Sequence, residues 1–282
     1  VEEYAQRSEW ERAEPLAEML AKKAGKRERG EQHKLQNLYG KVLAARGNFQ
    51  GALKAYQAAN QLDLTNQETI RGLAEASFNL QDWAGALTNF QKVLTALEEH
   101  DTEQRAYVYF KLGAIKQAQG QGKQAINNFE KALQVEPNHG PTLQAMVQIY
   151  DQLKDWPQVC HYKRIILDNF VDGQERFRML NDIGDIWADK ANNAPKAIEA
   201  LEEALDLEPQ DHKLLHKLLA LYQKAQQWEK MVECLERISQ LEANPERKSK
   251  YLFTMAQLYR DKINDMDRAV ELFNDALDLN PS

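Results

Sequence analysis

The side chains able to do chemistry are few and scattered. Of the six histidines, only His212 and His216 share a helical spacing, as HKLLH. An i, i+4 histidine pair can hold a metal on one helix face, but the zinc-protease pattern requires glutamate directly after the first histidine, and Lys213 stands there. We therefore expect an ordinary exposed pair and no metal site. The chain has no Gly-rich phosphate loop and no nucleophile elbow. Acidic pairs such as Glu202–Glu203 fall on outward helix faces, where charge runs are solvated. These residue types point to no catalytic group and no cofactor, so the function has to be sought in surfaces and in the elements that carry them.

Those elements repeat. Trp10, Trp83, Trp156 and Trp228 occur in related settings (SEWERAEPLAEML, QDWAGALTNFQKVL, KDWPQVCHYKRIIL and QQWEKMVECLERIS) at intervals of 73, 73 and 72 residues. Four of five tryptophans on such a grid mark an internal repeat, which decides the fold class before any local reading.

The period halves. Related stretches lie between the tryptophan copies: GNFQGALKAYQAA, QGKQAINNFEKAL, NAPKAIEALEEAL and MDRAVELFNDAL. In the clearest copy, Leu112-Gly113 is followed by Ala125, Phe129, Ala132 and Pro137. The pattern returns in Leu38–Gly40 with Ala52, Tyr56 and Ala59, in Ala197, Leu201, Ala204 and Pro209, and in Tyr259, Ala269, Phe273, Ala276 and Pro281. It resembles the tetratricopeptide repeat (TPR), a helix–turn–helix unit of about 34 residues. The resemblance covers essentially the whole chain. It implies an all-α solenoid, a right-handed superhelix of antiparallel helix pairs, arranged as a single array over residues 1–282.

In that register the first unit, 1–32, is truncated, and seven full units follow: 33–66, 67–105, 106–139, 140–176, 177–211, 212–248 and 249–282. Each tryptophan falls in the turn between the two helices of its unit. Long and short units alternate, and we infer that a block of two repeats was duplicated. The extra residues, EEHDTEQR, DNFVDGQER and EANPERK, precede first helices that should begin early, with Asp101, Asp172 and Asn244 as N-caps and Pro245 in the first helical position. Pro141, Pro157 and Pro195 suit helix starts, and Pro137, Pro209 and Pro281 suit helix ends. Pro15 lies early in a second helix, where we expect a late start or a kink. Leu112, Ile115, Ile126, Phe129, Leu133 and Val135 should face between helices, with Ala125 and Ala132 letting them approach. Val159 and Ile166, and Met231 and Ile238, take the places of those alanines elsewhere and should force helices apart. Both ends read as unfinished, as in a slice of a longer protein, so Leu272, Phe273 and Leu277, or Tyr4 and Trp10, should be left exposed and open to self-association.

Composition agrees with a soluble helical chain: 282 residues, 43% hydrophobic and 28% charged. No apolar run reaches the roughly 18 residues of a membrane helix, so we expect no membrane insertion. The formal charge of −7 argues against nucleic acid, whose binders carry basic stripes. The one basic run, residues 21–34 with Lys22, Lys23, Lys26, Arg27, Arg29 and Lys34, reads as a solvated link, or else as a docking patch for an acidic partner. Cys160 and Cys234 fall on second helices two units apart, about 20 Å at the usual helix spacing, beyond disulfide reach. Reduced, half-buried thiols fit a cytoplasmic protein.

The resemblance also implies a binding surface, since in TPR proteins the first helices line a concave groove. Carried onto this sequence, it gives an apolar zone at Phe78, Tyr107 and Phe110. A polar and acidic zone follows at Gln144, Gln148, Asn181, Asp185 and Asp189. A basic zone with one aromatic comes last: Lys213, His216, Lys217, Lys224, Lys250, Phe253 and Arg260. The family's clamp for chaperone C-terminal carboxylates is not matched, because Asn37, Lys41, Gly72, Tyr107 and Lys111 stand in its places. The reading is a non-enzymatic scaffold for a protein or peptide partner. The alternative is a regulatory or targeting module of a larger multidomain enzyme.

Overall fold

The computed structural model describes every residue except Glu2, Ala5, Gln6, Ser8, Pro281 and Ser282; of Lys26 it describes the backbone alone. Pro281, expected to end the last helix, lies outside the described residues.

Among the described residues there is no strand, and fifteen α-helices follow one another. They are α1 (Trp10–Lys23), α2 (Arg29–Ala45), α3 (Phe49–Leu62), α4 (Gln67–Asn79), α5 (Trp83–Ala96), α6 (Thr102–Ala118), α7 (Gly122–Val135), α8 (Gly140–Leu153), α9 (Trp156–Phe170), α10 (Gly173–Asp185), α11 (Ala194–Leu207), α12 (His212–Ala225), α13 (Trp228–Leu241), α14 (Pro245–Leu258) and α15 (Met266–Leu279). Even-numbered helices are the first of each hairpin and odd-numbered ones the second. The chain forms two compact units, Val1–Ala145 and Met146–Ser282, which meet in sequence inside α8.

Close backbone approach explains the small residues of the repeat. In the first unit the Tyr56 ring of α3 lies between Gly40 and Gly72: a Cβ would come within 2.8 Å of it at Gly40 and within 2.4 Å at Gly72. Phe129 of α7 covers Gly113 of α6 in the same way, with 2.5 Å to a hypothetical Cβ. Ala52, Ala125 and Ala132 are fully buried beside these rings. Leu112, Ile115 and Phe129 are buried, and Ile126, Leu133 and Val135 are half-buried, all packed as expected. In the second unit Leu201 of α11 covers Gly184 of α10. One continuous core runs there from Val159 to Leu272, taking in Met231 and Ile238 where other hairpins have alanine. α12 and α13 accordingly approach each other less closely than α6 and α7.

The turns carry the duplication in their backbone. Between the two helices of successive hairpins the chain takes a left-handed conformation at Gly47, Gln81, Gly120, Lys154, Asn192, Gln226 and Asn264. Neighbouring members are 34 or 38–39 residues apart in alternation, and every second member is 72–73 apart. The duplicated block of two hairpins is thus visible without reference to side chains.

Capping divides the expected helix starts. Asn244 accepts from the Arg247 N–H at 3.1 Å, with Pro245 beginning α14. Asp101 and Asp172 occupy N-cap positions but their side chains make no capping bond. Asp101 turns back instead and accepts from the Glu98 N–H at 3.1 Å. The helices after the long connections do begin early: α6 has 17 residues, against 13 in α4, which follows a short connection. α1 runs unbroken from Trp10 through Pro15, so it does not start late. The tryptophans also sit slightly later than expected: Trp10, Trp83, Trp156 and Trp228 are each the first residue of a second helix.

Two first helices end in a wider coil. α10 passes into a π-helical turn, Ile186–Lys190, and α14 into another, Tyr259–Ile263. Gly113 stands twelve residues before Ala125, whereas Gly184 and Ala256 stand thirteen before Ala197 and Ala269. The π turn absorbs the extra residue without breaking the helix. It also carries a lysine outward over the preceding tryptophan. The Lys190 ammonium lies 4.5 Å from the Trp156 ring centre, and that of Lys262 lies 5.2 Å from Trp228. Trp83 instead meets Phe78 of its own hairpin edge-on at 5.6 Å. The tryptophans are therefore equivalent in place, and two of them are equivalent in partner.

Candidate functional site

First helices one repeat apart are joined by polar rungs. In the first unit Asn37 and Lys41 of α2 both reach Glu68 of α4, the asparagine at 2.7 Å. Arg71 of α4 donates to Gln104 Oε1 near the start of α6 at 2.6 Å. Glu75 of α4 accepts from Tyr107 Oη at 2.6 Å and from Lys111 Nζ at 3.1 Å, both on α6. Burial, and then the bond to Glu75, holds the Tyr107 phenol protonated well above its usual range. Beneath the first rung Thr69 Oγ1 meets His33 Nε2 at 2.9 Å and donates toward Asn37 Oδ1 at 3.0 Å, so α2 and α4 share a buried polar network.

The expected apolar zone separates on this framework. Tyr107 is exposed at 37%. Phe78 is half-buried, edge-on to Trp83 and Phe90, and Lys111 Nζ covers its ring at 4.1 Å. Phe110 turns inward to Phe129 at 6.0 Å and His139 at 5.7 Å. These two rings are hairpin packing rather than exposed anchors, because second-helix neighbours of the same repeat lie within their reach. Beside Tyr107 a cleft of about 380 Å³ is lined by Arg71, Phe90, Glu103, Gln104, Val108, Glu136 and His139. Burial lowers the pKa of His139, which shares a 2.7 Å contact with Thr142 Oγ1.

The polar zone is divided between the units. Gln144 and Gln148 are exposed on α8. In the second unit Asn181 is half-buried and donates to the Phe177 carbonyl at 3.2 Å, and Asp189 is exposed in the first π turn. Asp185 and Lys217, placed by sequence in separate acidic and basic zones, form an ion pair at 2.6 Å.

The basic zone is thus not an open cationic strip. Lys224 donates to Asn192 Oδ1 at 2.7 Å, Lys250 pairs with Glu246 at 3.3 Å, and Arg260 pairs with its neighbour Asp261 at 2.6 Å. Lys213 and His216 are exposed, the latter 6.5 Å from the Tyr251 ring. Phe253 is the exposed aromatic of this face, edge-on to Phe273 at 5.3 Å. The rungs connect residues 27–36 apart, a spacing that no single-helix pattern reveals. The sequence signal was there in part: lysine stands one repeat after aspartate at 185 and 217.

Three cations of the basic run at 21–34 have partners. Lys22 pairs with Glu18, Arg27 with Glu31, and Arg29 donates to the Leu62 carbonyl at 2.8 Å, closing the end of α3. The solvated-link reading fits these pairings better than a docking patch. The residues standing in the places of the chaperone clamp are spent as well, since Asn37, Lys41, Tyr107 and Lys111 all serve the rungs.

Cys160 and Cys234 are free and fully buried, not half-buried. The Cys234 thiol donates to the Leu215 carbonyl at 3.2 Å, and burial raises both thiols to a pKa of about 11. His212 and His216 are exposed on α12, and among the described residues no group of three or more His, Cys, Asp or Glu is placed to hold a metal. Among the same residues no helix is long and apolar enough to cross a membrane.

Comparison with known proteins places this architecture. Models of the tetratricopeptide repeat match residues 66–138 and 249–282. A tetratricopeptide repeat protein from Parabacteroides merdae is similar in structure, with a TM-score of 0.51 at 12% identity over 98% of this chain and 95% of that one. The apo form of the quorum sensor NprR from B. thuringiensis gives a TM-score of 0.54 at 13% identity, covering 98% of this chain and 84% of that one. Identities this low speak for the fold alone. Taken with the hairpins and the small-residue contacts, the matched segments lead to one conclusion: the chain is built of tetratricopeptide repeats, in a fold it shares with tetratricopeptide repeat proteins.

Proposed function

We propose that the chain is a non-catalytic scaffold that binds a peptide or helix of a protein partner on the first-helix face of its N-terminal unit. The observation that carries this reading is the cleft beside Tyr107. Its lining combines the apolar Phe90 and Val108 with the polar Arg71, Glu103 and Gln104. A cleft of about 380 Å³ has room for one large side chain. An anchor seated in such a cleft dominates affinity, because a few desolvated contacts carry most binding energy. The rungs around it are already formed, so little side-chain entropy remains to be lost on binding.

The test is selection of peptides from a displayed library on the 282-residue chain, followed by titration against variants. Tyr107→Ala and Arg71→Ala should each weaken the selected peptides about tenfold or more, equivalent to ~1.4 kcal/mol. Lys92→Ala, on the second helix α5, should leave them unchanged. Peptides that ignore Tyr107 and Arg71 but fail with Lys92→Ala would place binding on the opposite helix layer.

A further inference from the structure

Three acidic residues share one place in the repeating block. Asp63, Glu136 and Glu208 each follow directly on a second helix, α3, α7 and α11, and stand 73 and 72 residues apart. Their carboxylates are used differently. Asp63 closes its own turn, accepting from the Thr65 N–H at 2.9 Å and from Thr65 Oγ1 at 2.8 Å. Glu208 is exposed to solvent. Glu136 instead lines the cleft beside Tyr107, where its Oε2 is shut off from solvent and, among the described residues, has no hydrogen-bond partner. A carboxylate oxygen placed so is costly unless a donor comes to it.

The surroundings decide which donor that is. The lining sets two carboxylates, Glu103 and Glu136, against one guanidinium, that of Arg71, so one negative charge is left over. Arg71 is committed to Gln104 Oε1 at 2.6 Å and makes no hydrogen bond to Glu136 Oε2. His139 does not supply the missing cation: burial favours its neutral form against the pull of Glu136 and then Glu103, and its Nδ1 meets Thr142 Oγ1 at 2.7 Å. Both carboxylates act on this one imidazole, so both lie near it. Glu136 also ends α7, where the carbonyls of the last turn carry partial negative charge and favour a cation. Val108 and the ring of Tyr107 add an apolar wall. An acidic end with an apolar wall fits a long cationic side chain, whose methylenes pack while its head stays among polar groups.

We infer that the anchor this cleft takes is an arginine of the partner, an inference that rests on the scaffold function proposed for the same cleft. The guanidinium meets Glu136 Oε2 and Glu103, and the stem lies along Val108 and the Tyr107 ring. Arginine suits the place better than lysine. Its planar fork gives parallel bonds to carboxylates and stacks on a ring, and its weaker hydration makes entry less costly. A partner segment anchored by a carboxylate would meet two carboxylates here and is selected against.

The probe is N-acetyl-arginine amide, with N-acetyl-citrulline amide as the neutral control of nearly the same shape. Each is titrated into the isotope-labelled 282-residue chain and followed by NMR at the backbone amides of Gln104, Tyr107 and Val108. Saturable shifts are expected with the arginine compound, and the citrulline compound should bind at least tenfold more weakly. Glu136→Gln should weaken the arginine compound at least tenfold and leave the citrulline compound unchanged. Amide signals away from the cleft should stay in place, because the substitution keeps the size of the side chain. Equal binding of the two compounds, no binding of the arginine compound, or undiminished binding to Glu136→Gln overturns the inference. The peptides selected from the displayed library separate it from the scaffold function it rests on. Tyr107-dependent peptides with a fixed arginine support both. Tyr107-dependent peptides without one leave the scaffold function standing and overturn the arginine anchor, and peptides indifferent to Tyr107 overturn both.

Discussion

Both carboxylate oxygens of Asp185 lie within 2.8 Å of the Lys217 ammonium, one repeat further along. This rung ties α10 to α12 across the face that sequence had divided into opposite charges. Its members are 46% and 41% exposed, and pairs so placed contribute only ~0–1 kcal/mol. Asp185→Ala should therefore cost less than about 1 kcal/mol in urea unfolding. The coupling between Asp185→Ala and Lys217→Ala should shrink further at about 1 M salt, where screening acts within ~3 Å. A salt-independent coupling of several kcal/mol would show that the rung is structural in a way its exposure does not suggest.

Gln226 closes the turn between α12 and α13 with a φ of 56°. A side chain in that region costs about 1–2 kcal/mol, which glycine avoids at some expense in unfolded-state entropy. Gln226→Gly should raise the urea midpoint by an amount equivalent to ~0.5–1 kcal/mol. Gly120→Ala, at a φ of 71° in the matching turn of the other hairpin type, should lower it. A fall in the midpoint for Gln226→Gly or a rise for Gly120→Ala would contradict the turn geometry.

Thr69 Oγ1 serves His33 at 2.9 Å, Asn37 at 3.0 Å and Asn66 at 3.1 Å. Thr69→Val keeps the shape but leaves these buried partners unsatisfied, a loss of about 1–3 kcal/mol. Thr69→Ser keeps the hydroxyl and should lose clearly less. Equilibrium denaturation of the two variants separates a hydrogen-bonding role from a packing one.

The thiols Cys160 and Cys234 ionise near pH 9 when exposed, and burial raises both to about 11 in the fold. Between those values the folded chain keeps protons that the unfolded chain releases. The stability they contribute is complete below pH 9 and is lost as pH rises toward 11. The urea midpoint should fall across that window. The fall should be smaller in the Cys160→Ala, Cys234→Ala double variant, and native-state alkylation at pH 9 should be far slower than in denaturant.

Much of the fold could be read from single residue types. Ala52, Ala125 and Gly113 are small because rings and helices touch there, and those contacts recur at a fixed interval. Prolines 137, 141, 157, 195 and 209 mark helix ends or starts because a missing N–H costs least there. The π turns were not legible, since one extra residue inside a helix barely disturbs its apolar period. Of the late start or kink that Pro15 suggested, the late start does not occur, since α1 begins at Trp10. The site was less legible than the fold. Phe78 and Phe110 have groove-like register, yet whether a ring faces outward or folds back depends on its rotamer and on neighbours from the other helix of the hairpin. Asp185 and Lys217 showed their charges in the sequence, but not that those charges would cancel each other.

The alternation of left-handed turns fixes the unit in which this chain can change length. Turns separated by 72–73 residues recur in one register, whereas the spacing between adjacent ones alternates between 34 and 38–39. Removing or inserting one hairpin would set a long connection against a helix start shaped for a short one. Removing or inserting two would restore every neighbour relation. Trimming should therefore be tolerated in steps of two hairpins, and a library of deletions should show survivors where an even number of hairpins is removed and failures where an odd number is.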